Sequence, residues 1–147
     1  MTVPTFGLTA TGTTRHEALL AARKAVDQAL HEHIRRHEPI PKPKRVRRAA
    51  PDGEAVLIAP SLEMALRTAI IAALQAEGLR DSDLAQHLGL DPSYISRTLR
   101  RGGRGMSPSR AASLLEDLGL SVHLGVHPLD PQIGIRDHLQ RPRRRRR

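Results

Sequence analysis

The chain has 147 residues, with 24 Lys and Arg against 15 Asp and Glu, which gives a formal net charge of +9. Its length allows one ordinary domain or two small modules, and because Phe6 and Tyr94 are the only aromatic residues, any core must use Leu, Ile, Val and Ala. The absence of Cys excludes disulfides, thiol catalysis and cysteine-based metal sites, and the longest apolar run, residues 69–74, is too short to cross a membrane. No apolar segment follows a basic start, as it would in a secretory signal. We therefore expect a soluble, cytoplasmic protein that does not bind a membrane, and the positive charge favours an acidic binding partner.

The positive charge is concentrated in two segments. Residues 35–48 carry a net charge of +6 and residues 141–147 carry another +6, so the rest of the chain sums to −3. Both segments contain Pro and few apolar residues, which is typical of chain that does not fold by itself. Such segments attract nucleic acid without reading its sequence, or they serve only as a solubilising linker and tail.

The first region, residues 1–38, predicts one strand within residues 3–11 followed by a helix. Thr14 and Glu17 have the spacing of a capping box, so Thr14 is the expected N-cap. The apolar stripe of the helix is Leu19, Ala22, Val26, Ala29 or Leu30, and Ile34. A single amphipathic helix cannot fold alone, so its apolar stripe has to pack against another part of the chain or against a partner. Residues 39–53 then predict an extended, basic, Pro-rich linker.

The second region, residues 54–128, predicts four helices between two short strands, residues 55–58 and 121–126. The first helix opens after Pro60 and Ser61 and ends at Gly78, and the second follows Asp81 and ends at Gly89. Asp91-Pro92 and Ser107-Pro108 each predict an N-cap with Pro at the first helical position. The expected inward residues of the four helices are Leu62, Leu66, Ala69, Ile70, Ala73 and Leu74; Leu84, Ala85 and Leu88; Ile95 and Leu99; and Ala111, Leu114, Leu115 and Leu118. Residues 129–147 predict a disordered Arg-rich tail.

The most informative stretch is residues 84–97, LAQHLGLDPSYISR. A small Ala85 lets a second helix cross closely, and Gly89 permits the left-handed backbone of a tight turn. The face of the second helix opposite its core residues then presents Ser93, Tyr94, Arg97 and Arg101 to a DNA groove. The alternative is a helical bundle with a solvated basic face.

This string resembles the Xre/Cro-type helix-turn-helix family, whose arrangement fits residues 61–120. The resemblance implies that Ser93 and Arg97 contact bases and that Tyr94 contacts a phosphate or a base edge. Two residues depart from the family pattern: Pro92 replaces a frequent hydrogen-bonding side chain, and Asp81 replaces a common phosphate-contacting Gln. An acid at position 81 would repel a backbone phosphate unless it serves only as a cap.

The charge pattern agrees with this orientation. Residues 54–91 carry a net charge of −4, whereas residues 92–115 contain five Arg and no acid. The expected DNA-binding residues are therefore Ser93, Tyr94, Arg97, Arg100, Arg101 and Arg104.

The N-terminal string at residues 10–18, ATGTTRHEA, followed by an Ala-rich helix and the Pro-Ile-Pro at 39–41, resembles the end of the partial RNase-H-like domain of HicB-type antitoxins. That domain normally has two further strands, so the piece is expected to be truncated or completed by a partner. The two regions together predict a mainly α protein, in which a truncated strand-helix piece and a basic linker precede a helix-turn-helix bundle with a short C-terminal strand. The HicB resemblance also implies a small, mRNA-cleaving HicA-type toxin as partner, and repression of the shared operon at double-stranded operator DNA.

The strand at residues 121–126 could pair with residues 55–58 or with its own copy across a two-fold axis. Helix-turn-helix proteins commonly read palindromes as dimers, so we expect a homodimer or higher homo-oligomer.

Other functional classes have weaker support in the sequence. The pairs His33/His37 and His123/His127 lack a convincing third ligand, and Gly102 to Gly105 lack the strand and Lys of a phosphate-binding loop. We expect no enzyme activity, no metal and no cofactor. The remaining alternatives are a stand-alone Xre-type regulator without a toxin, and a non-specific nucleic-acid binder driven by the Arg tail.

Overall fold

The computed structural model describes residues 2–3, 6–42, 58–101 and 106–126. Within these residues the protein is mainly helical. Two short strands, β1 (Thr2–Val3) and β2 (Leu8–Thr9), precede the helices α1 (Arg15–Arg35), α2 (Leu62–Ala76), α3 (Asp81–Leu88), α4 (Pro92–Arg100) and α5 (Pro108–Asp117). The predicted Arg-rich tail, residues 55–57 and most of the basic linker lie outside the described residues.

None of the described helices combines the length and the apolar character needed to cross a lipid bilayer.

Side-chain caps begin the helices where the sequence predicts them. The Thr14 hydroxyl accepts a hydrogen bond from the Glu17 amide at 3.2 Å, and the Glu17 carboxylate accepts one from the Thr13 amide. Ser61, Asp91 and Ser107 cap α2, α4 and α5 in the same way. These bonds satisfy amides that have no partner inside the helix, so each start is fixed locally.

Helix α3 departs from this pattern, because its N-cap is Arg80 and not Asp81. The Asp83 carboxylate accepts a hydrogen bond from the Arg80 backbone amide at 2.7 Å. Asp81 is therefore not the cap of α3. Asp81 is the first residue inside the helix, where its side chain is available for another contact.

Gly89 and Gly12 illustrate two different reasons why the backbone around the helices requires glycine. Gly89 ends α3 with φ of +63°, a left-handed conformation that residues with a Cβ adopt at a cost. At Gly12 the constraint is space: a Cβ there would lie 2.4 Å from the backbone nitrogen of Ala18. The segment after β2 thus crosses directly over the first turn of α1.

The described residues form two neighbouring hydrophobic clusters. The smaller one joins α1 to the N-terminal hairpin through Ala10, Ala22, Val26 and Leu30. The larger one contains Ile34, Leu66, Ile70, Ile71, Leu74, Leu84, Ala85, Ile95, Leu99, Ala111, Leu114 and Leu115. Because Ile34 belongs to the larger cluster, the last turn of α1 is part of the core that α2–α5 share.

The buried face of α1 is the predicted stripe, with Leu30 rather than Ala29 at the ambiguous position. The prediction for α2 was wrong in part, since Leu62 and Ala69 are exposed while Arg67, Thr68 and Ile71 are buried. Helix α2 packs against both α1 and α5, so its buried face is wider than that of a helix covered on one side.

The strand predictions agree less well with the structure than the helix predictions do. Residues 121–126 form no strand, although Val122 packs against the larger cluster. A period-two pattern needs a hydrogen-bonding partner to become a strand, and none of the described residues supplies one there. At the N-terminus the single expected strand is instead a hairpin, in which Thr2 lies opposite Thr9 and Val3 opposite Leu8.

Candidate nucleic-acid interface

Helices α3 and α4 pack closely against each other across the turn at Gly89. Leu84 and Ala85 of α3 and Ile95 and Leu99 of α4 are all buried in the larger cluster. The Ala85 side chain is completely covered, which is consistent with the close crossing that its small size permits. The packing fixes which face of α4 points away from the core.

Three of the predicted contact residues lie on that outward face. Ser93, Arg97 and Arg101 are exposed and are spaced four residues apart, so they line one side of α4 and its C-terminal end. Arg97 lies at the middle of this row, and its guanidinium has the geometry to donate two parallel hydrogen bonds to a guanine or to a phosphate.

The start of the row is held by Asp91. Its Oδ1 accepts hydrogen bonds from the Ser93 hydroxyl and from the backbone amides of Ser93 and Tyr94. These bonds favour the ionised form and lower the pKa of Asp91 from its ordinary value. Because the Ser93 hydroxyl donates its hydrogen bond to Asp91, the Ser93 oxygen can only accept a hydrogen bond from a ligand.

Tyr94 lies between the exposed row and the core. It is half-buried and packs against the larger cluster, and the Arg110 guanidinium of α5 lies 5.9 Å from its ring centroid. This cation–π contact joins α4 to α5 and places another exposed Arg next to α4. Tyr94 is therefore a packing residue at the edge of the interface as well as a candidate contact.

Arg100 does not lie in the exposed row. Its Nε and Nη2 donate to the two carboxylate oxygens of Asp81, at 2.6 and 2.8 Å, and Nη1 lies 3.4 Å from the carbonyl oxygen of Ile34. The Arg100 and Asp81 side chains are 12% and 14% exposed. The structure thus departs from the expectation that Arg100 faces a nucleic acid, because its guanidinium is bound inside the protein.

A second arginine near the end of α4 was not singled out by the sequence. Arg67 of α2 is buried, and its Nε donates to the carbonyl oxygen of Leu99 while Nη1 lies 3.3 Å from Nδ1 of His31. Burial lowers the pKa of the Arg67 guanidinium from its ordinary value. The available signal was helical spacing, since Arg67 lies four and seven residues before the buried Ile71 and Leu74.

The remaining predicted contact, Arg104, lies outside the described residues. Across the described part of the chain, no group of three His, Asp or Glu side chains is arranged to hold a metal ion. His33 is instead paired with Glu38, with Nδ1 2.9 Å from Oε2.

The comparisons with known proteins give no relative for this chain: no family model, no curated protein and no solved structure matches it.

Proposed function

We propose that the chain is a sequence-specific DNA-binding protein in which α3 and α4 form a helix-turn-helix and α4 enters the major groove. The observation that carries the proposal is the exposed row Ser93, Arg97 and Arg101, which follows a left-handed glycine turn and faces away from the buried core. Residues 92–115 contain five Arg and no carboxylate. The one acid at the start of the row, Asp91, is bonded to Ser93 and to the Tyr94 amide, so the rest of the row carries an excess of positive charge that attracts phosphates.

Within this class we propose a repressor of the HicB antitoxin type, which binds operator DNA through residues 92–104 and a small toxin through its N-terminal region. The support is the resemblance of residues 5–45 together with the order of the two regions along the chain. The hairpin region and α1 share a small apolar cluster, against which Ile58 and Met64 also pack, and in this proposal a partner chain extends that cluster.

A stand-alone regulator of the Xre type is the second candidate, and one observation favours it. Ile34 of α1 is completely buried in the core that α2–α5 share, and the Asp27 carboxylate accepts a hydrogen bond from the Ser61 amide at 2.9 Å. These contacts give α1 a structural role in the DNA-binding unit even without a toxin.

The proposed assembly is a homodimer or a higher homo-oligomer. Leu120, Leu124 and Val126 are exposed apolar side chains that follow α5, with Val126 98% exposed. A second copy would cover them and would match the symmetry of a palindromic site. Light scattering over a range of protein concentrations tests this, and a mass that stays at that of the monomer, 16.2 kDa, would contradict it.

The test of DNA reading begins with selection of preferred duplexes from a randomised pool, followed by affinity measurements on a selected duplex and on scrambled duplexes. Arg97→Ala should cost about 1–3 kcal/mol on the selected duplex and should relax the preference at one position of the site. Lys24→Ala is the matched control, because it removes one exposed positive charge from α1. Equal losses for both variants on every duplex would instead indicate a purely electrostatic binder.

The toxin proposal is tested separately by expressing the chain together with the product of the neighbouring gene. A stable complex, and relief of that product's toxicity in cells, is the expected result. If no small toxin is encoded there and none copurifies, the antitoxin proposal fails while the DNA-binding proposal stands or falls by its own experiment.

A further inference from the structure

The contact between Asp81 and Arg100 links the first residue of α3 to the last residue of α4. Both carboxylate oxygens and two guanidinium nitrogens take part, which is the paired geometry that fixes orientation as well as distance. The pair is also well placed for the helix dipoles, since an acid at a helix N-terminus and a base at a helix C-terminus are both favourable.

The same guanidinium reaches a third element. Nη1 of Arg100 lies 3.4 Å from the Ile34 carbonyl oxygen in the last turn of α1, while Arg67 of α2 donates to the Leu99 carbonyl oxygen beside it. The C-terminal end of α4 is therefore tied to α1, α2 and α3 by polar contacts that are largely shielded from water. A helix of nine residues that is held in this way has little freedom to roll on the core.

We propose that Arg100 is a positioning residue for DNA reading, which sets the rotation of α4 so that Arg97 and Arg101 meet the groove, and that it makes no contact with DNA. This role rests on the proposed function. A side chain lies roughly 5–6 Å from the helix axis, so a roll of about 10° displaces a reading group by about 1 Å. Paired hydrogen bonds to a base edge do not tolerate such a displacement.

Arg100 and the arginines of the exposed row should differ in how their removal changes the salt dependence of DNA affinity. A phosphate contact contributes about 0.9 to the slope of log affinity against log salt concentration. The charge of Arg100 is compensated by Asp81, so removing both charges together leaves the net charge unchanged and should leave the slope unchanged. Only the preference for the selected duplex should fall.

The experiment compares the wild type with the double variant Asp81→Asn/Arg100→Gln, using Arg97→Ala as the reference for a reading residue. We expect the double variant to lose about fivefold to tenfold of the ratio between specific and non-specific affinity, with a wild-type salt slope. A slope that falls by about 0.9 with the preference retained would overturn the proposal, because it would identify Arg100 as a phosphate contact.

Arg100→Lys supplies the conservative comparison and covers the case in which the double variant does not fold. Lysine keeps a charge beside Asp81 but cannot bind both carboxylate oxygens and the Ile34 carbonyl together, so its preference should lie between those of the wild type and the double variant. Helical circular dichroism and the melting temperature confirm that each variant is folded. Wild-type preference in Arg100→Lys would overturn the proposal.

The outcomes also distinguish this role from the proposed function. A wild-type protein without any sequence preference would refute the proposed function and this role with it. A wild type that reads sequence, beside a folded double variant that reads it equally well, would refute the role alone.

Discussion

Replacing Ile34 by Ala tests whether α1 and the α2–α5 helices form one cooperative unit. Ile34 is completely buried in the larger cluster, in the last turn of α1. The substitution removes three buried carbon groups, each worth about 0.8 kcal/mol, and leaves a cavity that adds to the loss. Alanine's better helix propensity returns at most about 0.7 kcal/mol. The free energy of unfolding should therefore fall by about 3 kcal/mol.

Urea unfolding can be followed with two probes that report on different parts of the molecule. Far-ultraviolet circular dichroism reports on all helices, whereas the fluorescence of Tyr94, the only tyrosine, reports on α4. If the helices share one core, both probes give the same midpoint in the wild type and shift together in Ile34→Ala. Leu20→Ala is the control, because Leu20 lies on the same helix with 39% of its surface exposed and should cost less than about 1 kcal/mol. A loss below about 1 kcal/mol for Ile34→Ala, or separate transitions for the two probes, would refute a shared core.

Three further predictions concern local features. Gly12→Ala should lower the free energy of unfolding by about 1–3 kcal/mol, because its Cβ would lie 2.4 Å from the Ala18 nitrogen. Thr11→Ala, at the exposed neighbouring position, is the control and should be close to neutral in the same urea experiment. Asp91→Ala should lower the melting temperature, whereas Asp91→Ser should keep most of it, because a Ser hydroxyl can also accept a hydrogen bond from the first amides of α4. Equal melting temperatures for the two variants would show that the side chain at position 91 does not stabilise α4 as a cap. Glu32, hydrogen-bonded to Arg35, has its pKa lowered from 4.5 to about 2, so its stabilising contribution is complete above pH 4.5 and disappears as the pH falls toward 2. Thermal melting from pH 6 to 2 should therefore show a shallower decline for Glu32→Gln than for the wild type, and parallel curves would contradict the ion pair.

Local chemistry explains what could be predicted from the sequence. Thr14, Ser61, Asp91 and Ser107 cap helices through bonds that span only two or three residues, so their spacing in the chain was sufficient. The left-handed Gly89 is likewise a property of one residue and its turn. For the same reason the exposed positions of Ser93 and Arg97 could be inferred from helical periodicity once α4 was located.

The contacts that depend on long-range packing could not be predicted in this way. Arg100 and Asp81 are 19 residues apart, and Arg67 and His31 are 36 residues apart, so no local pattern reveals either contact. The alternation at residues 121–126 indicates a strand, but a strand also requires a partner, which the pattern does not specify. Helical periodicity therefore located the exposed row, but it did not distinguish an arginine in that row from one bound inside the protein.

The Asp81–Arg100 pair also constrains how the sequence can change. Removing one partner leaves the other charge largely buried without an opposite charge beside it. This lowers the free energy of unfolding more than removing both charges does. The two positions are therefore coupled, and a single substitution at either one gives a less stable protein than the paired change does. Among related chains, we expect positions 81 and 100 to covary, so that an acid at the first accompanies a base at the second, and chains without the one also lack the other.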